Sequence, residues 1–110
     1  MRKLGRTTDQ RRALLKSLAA NLILKEKIKT SEARAKEMRS LVEHLITQSQ
    51  KNNLAARRYV ASALPADAAQ KLYREVAPRL VGRHGGFTKI TRLGQRLTDG
   101  AKMVFIEIVK

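Results

Sequence analysis

The sequence predicts an α+β domain of four helices and three strands, in the order helix, strand, three helices and two strands, with the C-terminal strand central. Four segments place apolar residues at helical spacing, and two later segments are β-branched and apolar. Pro, Gly and Asn interrupt these segments at intervals. A chain of 110 residues has room for one modest hydrophobic core. We therefore expect a basic arm at residues 1–6 and a single domain at residues 7–110.

The first helix is predicted from about residue 8 to residue 25. Thr7 and Gln10 have the spacing of a capping box, and Asp9 suits the positive end of a helix. The charged sequence EKIKT follows, and it either ends the helix or forms a small strand around Ile28. The apolar stripe of the helix consists of Leu14, Leu15, Leu18, Ala19, Leu22 and Ile23.

The second and third helices each begin at a capping residue. Thr30 or Ser31 caps the second, and Asn53 can cap the third. Pro65 ends the third helix because it cannot continue the hydrogen-bond pattern. The apolar stripe of the second helix consists of Met38, Leu41, Val42, Leu45 and Ile46.

The fourth helix is predicted to start at Asp67 with Gln70 and to end or kink at Pro78. After the glycines of GRHGG, the segment FTKITRL is typical of a strand. The segment MVFIEIV is the most apolar of the chain and predicts a strand covered on both faces. An Asp-Gly turn between these segments predicts a hairpin with a long basic loop. If the residues around Ile28 form a strand, MVFIEIV lies in the middle of the sheet.

The charge balance indicates a polyanionic partner. Lys and Arg number 24 against 9 Asp and Glu, so the formal net charge is +15. Such a chain repels itself until a polyanion neutralises it. Nucleic acid is the first candidate, an anionic membrane surface the second and an acidic protein the third. The lack of cysteine excludes disulfides and fits a reducing compartment, and no apolar run is long enough to span a bilayer.

Positive charge concentrates in two segments, a first basic segment at residues 2–12 and a second in an acid-free window at residues 76–98. Between Val76 and Thr98 there is no Asp or Glu, and a patch of one sign is repulsive unless an anion neutralises it. Arg outnumbers Lys in both segments, and its planar fork matches phosphate oxygens. Lys25, Lys27 and Lys71 are instead interpreted as solvating a helix face. The predicted nucleic-acid-binding residues of the two segments are Arg2, Lys3, Arg6, Arg11, Arg12, Arg79, Arg83, His84, Gly85, Gly86, Lys89, Arg92 and Arg96.

The loop GRHGG has two compatible interpretations. Its G-x-x-G spacing is that of loops that clamp a nucleic-acid backbone in KH domains, although a KH loop joins two helices and this one leads into a strand. It can equally be a helix C-cap followed by a turn. Because glycine permits both a close phosphate approach and a tight turn, both alternatives stay open.

Catalysis and metal binding find no support in the residues. His44 lies beside the apolar stripe of the second helix, where packing at the core boundary is expected. Carboxylates such as Glu37 and Glu43 stand beside Lys or Arg at helical pairing distance. The chain offers two histidines and no cysteine for a metal. We therefore predict a protein that is not an enzyme and has no cofactor and no metal.

Aromatic residues are scarce, so the expected recognition is of nucleic-acid backbone and shape rather than of bases. Tyr59, Tyr73 and Phe87 are predicted to belong to the core. An architectural or helix-turn-helix DNA-binding protein is the alternative function. Its recognition helix would be the third helix, which carries Arg57 and Arg58 but is otherwise mostly alanine and therefore a poor reader of bases. An RNA-processing enzyme is a third possibility, for which no residue stands out.

Three segments together resemble the bacterial large-subunit ribosomal protein L17 family. They are GRTTDQRRALLKSLAANLI, KIKTSEARAKEMRSLVEHLIT and RHGGFTKITRLGQRLTDGAKMVFIEIV. The resemblance implies a small mixed three-stranded sheet, no catalysis and a structural role in the large ribosomal subunit of the cytoplasm. It implies as partners the large-subunit ribosomal RNA and neighbouring ribosomal proteins near the peptide exit tunnel, with no membrane and no small-molecule substrate. By the same resemblance, Lys36 and Arg39 join the RNA-facing residues.

Overall fold

A computed structural model describes residues 8–109 of the chain. In it the helices and strands follow one another in the predicted order. The fourth helix, α4, is continuous over residues 66–79 but consists of three segments with different hydrogen bonding. The predicted arm at residues 1–6 and the capping Thr7 lie outside the described residues. The elements are α1 (Thr8–Lys25), β1 (Lys27–Ser31), α2 (Glu32–Ser49), α3 (Leu54–Ala63), α4 (Ala66–Lys71, Leu72–Val76 and Ala77–Arg79), β2 (Thr88–Gln95) and β3 (Lys102–Ile108).

Two polar caps were predicted correctly. The Ser31 side chain accepts a hydrogen bond from the backbone N–H of Arg34 at 3.4 Å, and Asn53 accepts one from Ala56 at 2.8 Å. These bonds satisfy N–H groups that have no partner within the helix. The predicted start of α4 was wrong: Pro65 occupies the cap position without a side-chain bond. Asp67 instead lies in the first turn and accepts from the N–H of its neighbour Ala68.

Pro78 does not break α4, and the helix ends one residue after it. The chain passes through the π-helical segment Leu72–Val76 immediately before Pro78, and the Ala77 N–H bonds to the Leu72 carbonyl. A proline ring clashes with the carbonyl four residues earlier in a regular α-helix, and a wider turn relieves such a clash. The helix therefore passes Pro78 without a break and ends at Arg79, close to the predicted end.

The sheet has the order β1-β3-β2, so the prediction of a central C-terminal strand is confirmed. Both pairings are antiparallel, so the sheet is not mixed. The hairpin between β2 and β3 requires an antiparallel pair, whereas the sequence carried no signal for the direction of β1. β2 contains an irregularity between Arg92 and Gly94, and Gly94 has φ +99°.

The core lies between the helices and one face of the sheet. In β3 the buried residues Val104, Ile106 and Ile108 alternate with half-buried Met103 and Phe105. The prediction that this strand is covered on both faces was therefore wrong, because only its inner face packs on the helices. The largest fully buried side chains are Phe87, Leu22, Ile23, Met38, Leu45, Ile46, Leu72, Ile106, Val42, Val60, Val76 and Val104.

The aromatic residues pack largely as expected. Phe87 is 2% exposed and belongs to the core, so it cannot stack on a base. Tyr59 and Tyr73 are half-buried and pack against the core. The exposed ring of His44 contacts Tyr59 edge-on with 5.0 Å between ring centroids, which is the boundary packing predicted for it. Among residues 8–109, no helix is long and apolar enough to cross a membrane.

Candidate nucleic-acid interface

The start of α1 and the middle of α2 line an open groove of about 610 Å³. Two predicted residues line this groove, Arg12 of the first basic segment and Lys36, which the family resemblance added to the RNA-facing residues. Lys16 and Glu37 line it as well. The structure thus brings together two predicted residues that are distant in sequence. Arg11 is half-buried and Arg12 is exposed, whereas Arg2, Lys3 and Arg6 lie outside the described residues.

On α2, both predicted cations are paired with carboxylates of the same helix. Lys36 Nζ lies 3.0 Å from Glu32 Oε1, and Arg39 Nε donates to Glu43 Oε2 at 3.3 Å. Both pairs have the spacing of one helical turn, and such partly exposed pairs contribute little stability. The two cations remain accessible, with about half of each side chain exposed (51% and 44%), but part of their charge is already neutralised.

The glycine-rich loop, residues 81–87, is anchored at its end by α2. The Phe87 N–H donates to Glu43 Oε1 at 3.0 Å, so one carboxylate holds both Arg39 and the entry to β2. Within the loop, Arg83 Nε donates to the Gly86 carbonyl at 3.1 Å, and His84 is exposed. Gly82, Gly85 and Gly86 all have positive φ, so the turn requires them, and nothing lies within 4 Å of an added Cβ.

Arg79 forms an ion pair within the molecule, with Glu26. Its guanidinium contacts Glu26 Oε1 at 2.5 Å, and its side chain is only 28% exposed. Lys71 binds the other oxygen of Glu26 at 3.2 Å and donates to the Leu24 carbonyl at the end of α1, at 2.6 Å. The interpretation of Lys71 as a solvated helix residue was therefore wrong. Arg79 is the first cation of the acid-free window, but its guanidinium is paired with Glu26, a carboxylate far away in sequence.

The remaining cations of the window lie along β2 and its turn. Lys89 is exposed. Arg92 is also exposed, with 81% of its side chain accessible, and approaches Glu32 only to 4.0 Å. Arg96 donates twice to Asp99, at 2.9 and 2.6 Å, so the first acid after the window closes the hairpin turn.

Three carboxylates are held in the charged form by these pairs. The hydrogen bond from Arg79 is the largest cause that lowers the pKa of Glu26. The hydrogen bond from Lys36 does the same for the pKa of Glu32. Arg96 lowers the pKa of Asp99 to about 2. Each acid therefore offsets the charge of the cation beside it, and the pairs of Glu32 with Lys36 and of Asp99 with Arg96 do so at the surface.

The candidate interface consists of those predicted cations of residues 79–96 that are exposed and have no close ion pair among residues 8–109. Of the predicted residues, Arg83 and Lys89 are exposed cations that no such pair involves, and Arg92 has only the distant contact with Glu32. They follow one another from the glycine-rich loop into β2. Lys89 lies on the outer face of the sheet, whereas Arg92 is the register partner of buried Val104 and points to the side of the helices. These exposed groups can therefore bind nucleic-acid phosphates on both sides of β2.

Sequence reasoning missed the outer face of the sheet. Lys27 and Lys29 lie on β1 and are exposed, and the Lys27 Nζ stands 4.5 Å from the centroid of the Phe105 ring. The alternation of Lys with Ile28 in KIK was a signal for this face, because alternate residues of a strand point to the same side. Among residues 8–109, no cluster of His, Asp or Glu is arranged to hold a metal ion.

Comparison with known proteins gives a consistent result. The family model for ribosomal protein L17 matches residues 14–109. The chain is 51% identical over 113 residues to the large ribosomal subunit protein bL17 of an Exiguobacterium species, with 97% of each chain covered. It is 50% identical over 119 residues to the protein of the same name from Staphylococcus haemolyticus, with 98% of this chain and 97% of that protein covered.

Proposed function

Because the chain belongs to the ribosomal protein L17 family, we propose that it binds large-subunit ribosomal RNA through phosphate and shape contacts of its exposed cations. As a member of this family it is a structural constituent of the large ribosomal subunit in the cytoplasm, and it is not an enzyme. Ribosomal RNA and neighbouring ribosomal proteins are its partners. What we propose is which residues of the chain make the contacts with the RNA.

The observation that supports this proposal is the distribution of paired and unpaired charges. Glu26, Glu32 and Asp99 form intramolecular ion pairs with Arg79, Lys36 and Arg96, and the pair of Glu26 is the most covered of the three. Arg83 of the glycine-rich loop and Lys89 of β2 are exposed and outside such pairs, and exposed Arg92 has only the 4.0 Å contact with Glu32. A surface that keeps one sign of charge after its acids are satisfied internally needs an external anion.

The predicted contacts divide into two groups. Arg83, Lys89 and Arg92 are expected to bind phosphates directly, with His84 and the glycines allowing the backbone to approach closely. Arg79 and Arg96 are expected to contribute mainly by holding the interface in shape. Arg12 and Lys36 are expected to form a second contact at the groove between α1 and α2.

The test is salt-dependent binding of the full chain to large-subunit ribosomal RNA. If about five phosphates are neutralised, log K should fall with log salt at a slope of about −4. The triple variant Arg83→Gln/Lys89→Gln/Arg92→Gln should lose about 2–3 from the magnitude of the slope. The matched control, Arg57→Gln/Arg58→Gln/Arg74→Gln, removes the same charge from α3 and α4 and should leave the slope close to that of the unaltered chain.

Two outcomes would contradict the proposal. A slope near zero for the unaltered chain would show that phosphates do not drive binding. Equal losses in the two triple variants would show that only the total charge matters. Duplex DNA added as competitor at fixed salt addresses the DNA-binding alternative, which requires DNA to displace the ribosomal RNA efficiently.

We also propose that the chain lies near the peptide exit tunnel, as its resemblance to the L17 family implies. A photo-crosslinker placed at exposed Leu54, on α3, would identify the protein neighbours in assembled large subunits. Crosslinks to proteins that line the tunnel exit are expected. Crosslinks confined to proteins at the subunit interface would overturn this placement.

A further inference from the structure

The outer face of the sheet has a regular arrangement that follows from the strand register. One row across the three strands consists of Lys29, Phe105 and Thr91, because Phe105 is the register partner of both of the others. The adjacent row consists of Lys27, Glu107 and Lys89. The exposed sides of these rows face away from the helices, since Val104 and Ile106 supply the buried side of β3.

Phe105 is the central residue of this face. It lies on the middle strand, it is half-buried, and the inner side of its strand packs on the helical core. The ammonium group of Lys27 stands over its ring at 4.5 Å from the centroid. Because Lys27 is exposed and has a flexible stem, it can move to a phosphate and free the ring at small cost.

The charges on this face favour an anionic occupant. Lys29 lies directly opposite Phe105. Lys27 and Lys89 lie in the adjacent row, on either side of Glu107, which is the one acid of the two rows. The ion pairs among residues 8–109 do not involve these four charged groups. Lys29 and Lys89 lie on the two strands that flank β3, each about 4.8 Å from it, Lys29 in the row of Phe105 and Lys89 in the adjacent row. They are therefore within reach of the phosphates on either side of one nucleotide.

The face is also continuous with the interface proposed above. Lys89 belongs to both, since it follows the glycine-rich loop along β2 and is the register partner of Glu107. An RNA strand that follows Arg83 and Lys89 would therefore pass onto the sheet. Sheets that bind single-stranded RNA place aromatic residues on an exposed face, where bases stack on them.

We propose that the outer face of the sheet binds one unpaired nucleotide of the ribosomal RNA, with its base stacked on Phe105 and its flanking phosphates held by Lys29 and Lys89. This inference rests on the proposed function and adds a base contact to an interface otherwise made of phosphate contacts. Lys27 leaves the ring when the base enters and becomes a further phosphate contact. Stacking on one ring is tolerant of base identity, because every base has a π-face.

The chain has no tryptophan, which permits a direct test. In Phe105→Trp, the single indole reports on its own surroundings, and stacking of a base should quench its fluorescence when the full chain binds large-subunit ribosomal RNA. Leu54→Trp places the same reporter at a residue 62% exposed on α3 and should show little change. Unquenched fluorescence of Phe105→Trp in fully bound protein would overturn the proposal.

Affinity measurements separate stacking from charge. Phe105→Leu should weaken binding roughly 10-fold with the salt slope unchanged, because stacking releases no counterions. Phe105→Tyr should keep the affinity. Lys29→Gln should reduce the magnitude of the slope by about 0.7–0.9. An unaltered affinity in Phe105→Leu would overturn the base contact, provided that its thermal unfolding matches that of the unaltered chain.

The outcomes also distinguish this inference from the proposed function. A chain that fails to bind ribosomal RNA contradicts both. A chain that binds with the expected slope while Phe105→Leu and Lys29→Gln have no effect contradicts only the sheet-face site. The Phe105→Trp fluorescence could also stay unchanged with RNA alone and be quenched or shielded only when other ribosomal proteins are added. That result would overturn the RNA contact and identify this face as a protein–protein interface.

Discussion

Glu26 connects three parts of the molecule through one residue. Its carboxylate binds Arg79 and Lys71 of α4, and its carbonyl accepts from the Ile108 N–H of β3 at 2.9 Å. It also ends α1 with φ 65°, the one positive φ of a residue other than glycine among residues 8–109. Glycine is the usual residue at this position of a helix end. A glycine here would relieve the backbone strain but would lack the carboxylate that binds Arg79 and Lys71.

We predict that Glu26→Gln destabilises the protein at pH 7 by about 1–3 kcal/mol, because two cations lose their charged acceptor. The pKa of Glu26 is lowered in the folded state, so the carboxylate stabilises the fold above its unfolded pKa of about 4.3. This contribution is lost as the pH falls through the folded pKa. Urea unfolding between pH 7 and pH 3 should show a smaller decrease in stability for the variant.

The control for this prediction is Glu75→Gln, which removes an exposed carboxylate from α4. It should change the free energy of unfolding by less than about 0.5 kcal/mol. Equal pH profiles for Glu26→Gln and the unaltered chain would show that the cluster adds no linked stability.

Single residues also show which contacts could not be predicted from the sequence. The window without acids was correctly noticed, but Arg79 and Arg96 find their partners at Glu26, far along the chain, and at Asp99, just outside the window. A charge pattern in sequence does not reveal which carboxylate the fold brings close. In contrast, Ser31 and Asn53 were predicted as caps because their partners lie three residues away.

Among the elements, local periodicity predicted the four helices and three strands, while contacts between elements were harder to foresee. The strand β3 was expected to be covered on both faces, because Met103 and Phe105 are as apolar as the buried residues between them. Which face of a strand is covered depends on the number of layers, and a chain of this size has helices for one face. Pro78 marked a disturbance of α4 but could not indicate that a π-helical turn would absorb it.

The hairpin formed by β2 and β3 depends on Gly94, where the register shifts. We predict that Gly94→Ala destabilises the protein by about 1–2 kcal/mol, the cost of a left-handed conformation for a residue with a Cβ. No atom lies within 4 Å of that Cβ, so the effect is conformational and not steric. Urea unfolding should show this loss, while Thr98→Ala, in the exposed turn, should have little effect; equal stability of both variants would contradict the prediction.

The glycine-rich loop depends on α2 for its position. We predict that Glu43→Ala increases the hydrogen-exchange rate of the Phe87 amide by roughly 5- to 20-fold, because the hydrogen bond between them is lost. Ser40→Ala, at an exposed position of the same helix, is the control. If Phe87 exchanges equally in both variants, the carboxylate does not anchor the loop.

Across the whole molecule, net charge opposes folding and promotes binding. Like charges repel each other in the free protein, and added salt screens that repulsion. We therefore predict that the Tm of the free chain rises between about 0.05 and 0.5 M NaCl, while its affinity for ribosomal RNA falls over the same range. Calorimetry and filter binding measure the two trends, and a Tm that falls with salt would contradict the first.

The central position of β3 has a consequence for biosynthesis. β1 and β2 do not pair with each other; each has its hydrogen-bonded ladder only with β3, which a ribosome translates after all the other elements. Nascent chains can form helices as they emerge, but no ladder of this sheet can close until residues 102–108 have left the tunnel. A newly made copy must therefore complete its fold after its helices are already exposed to solvent, and only then does it present the finished surface to RNA.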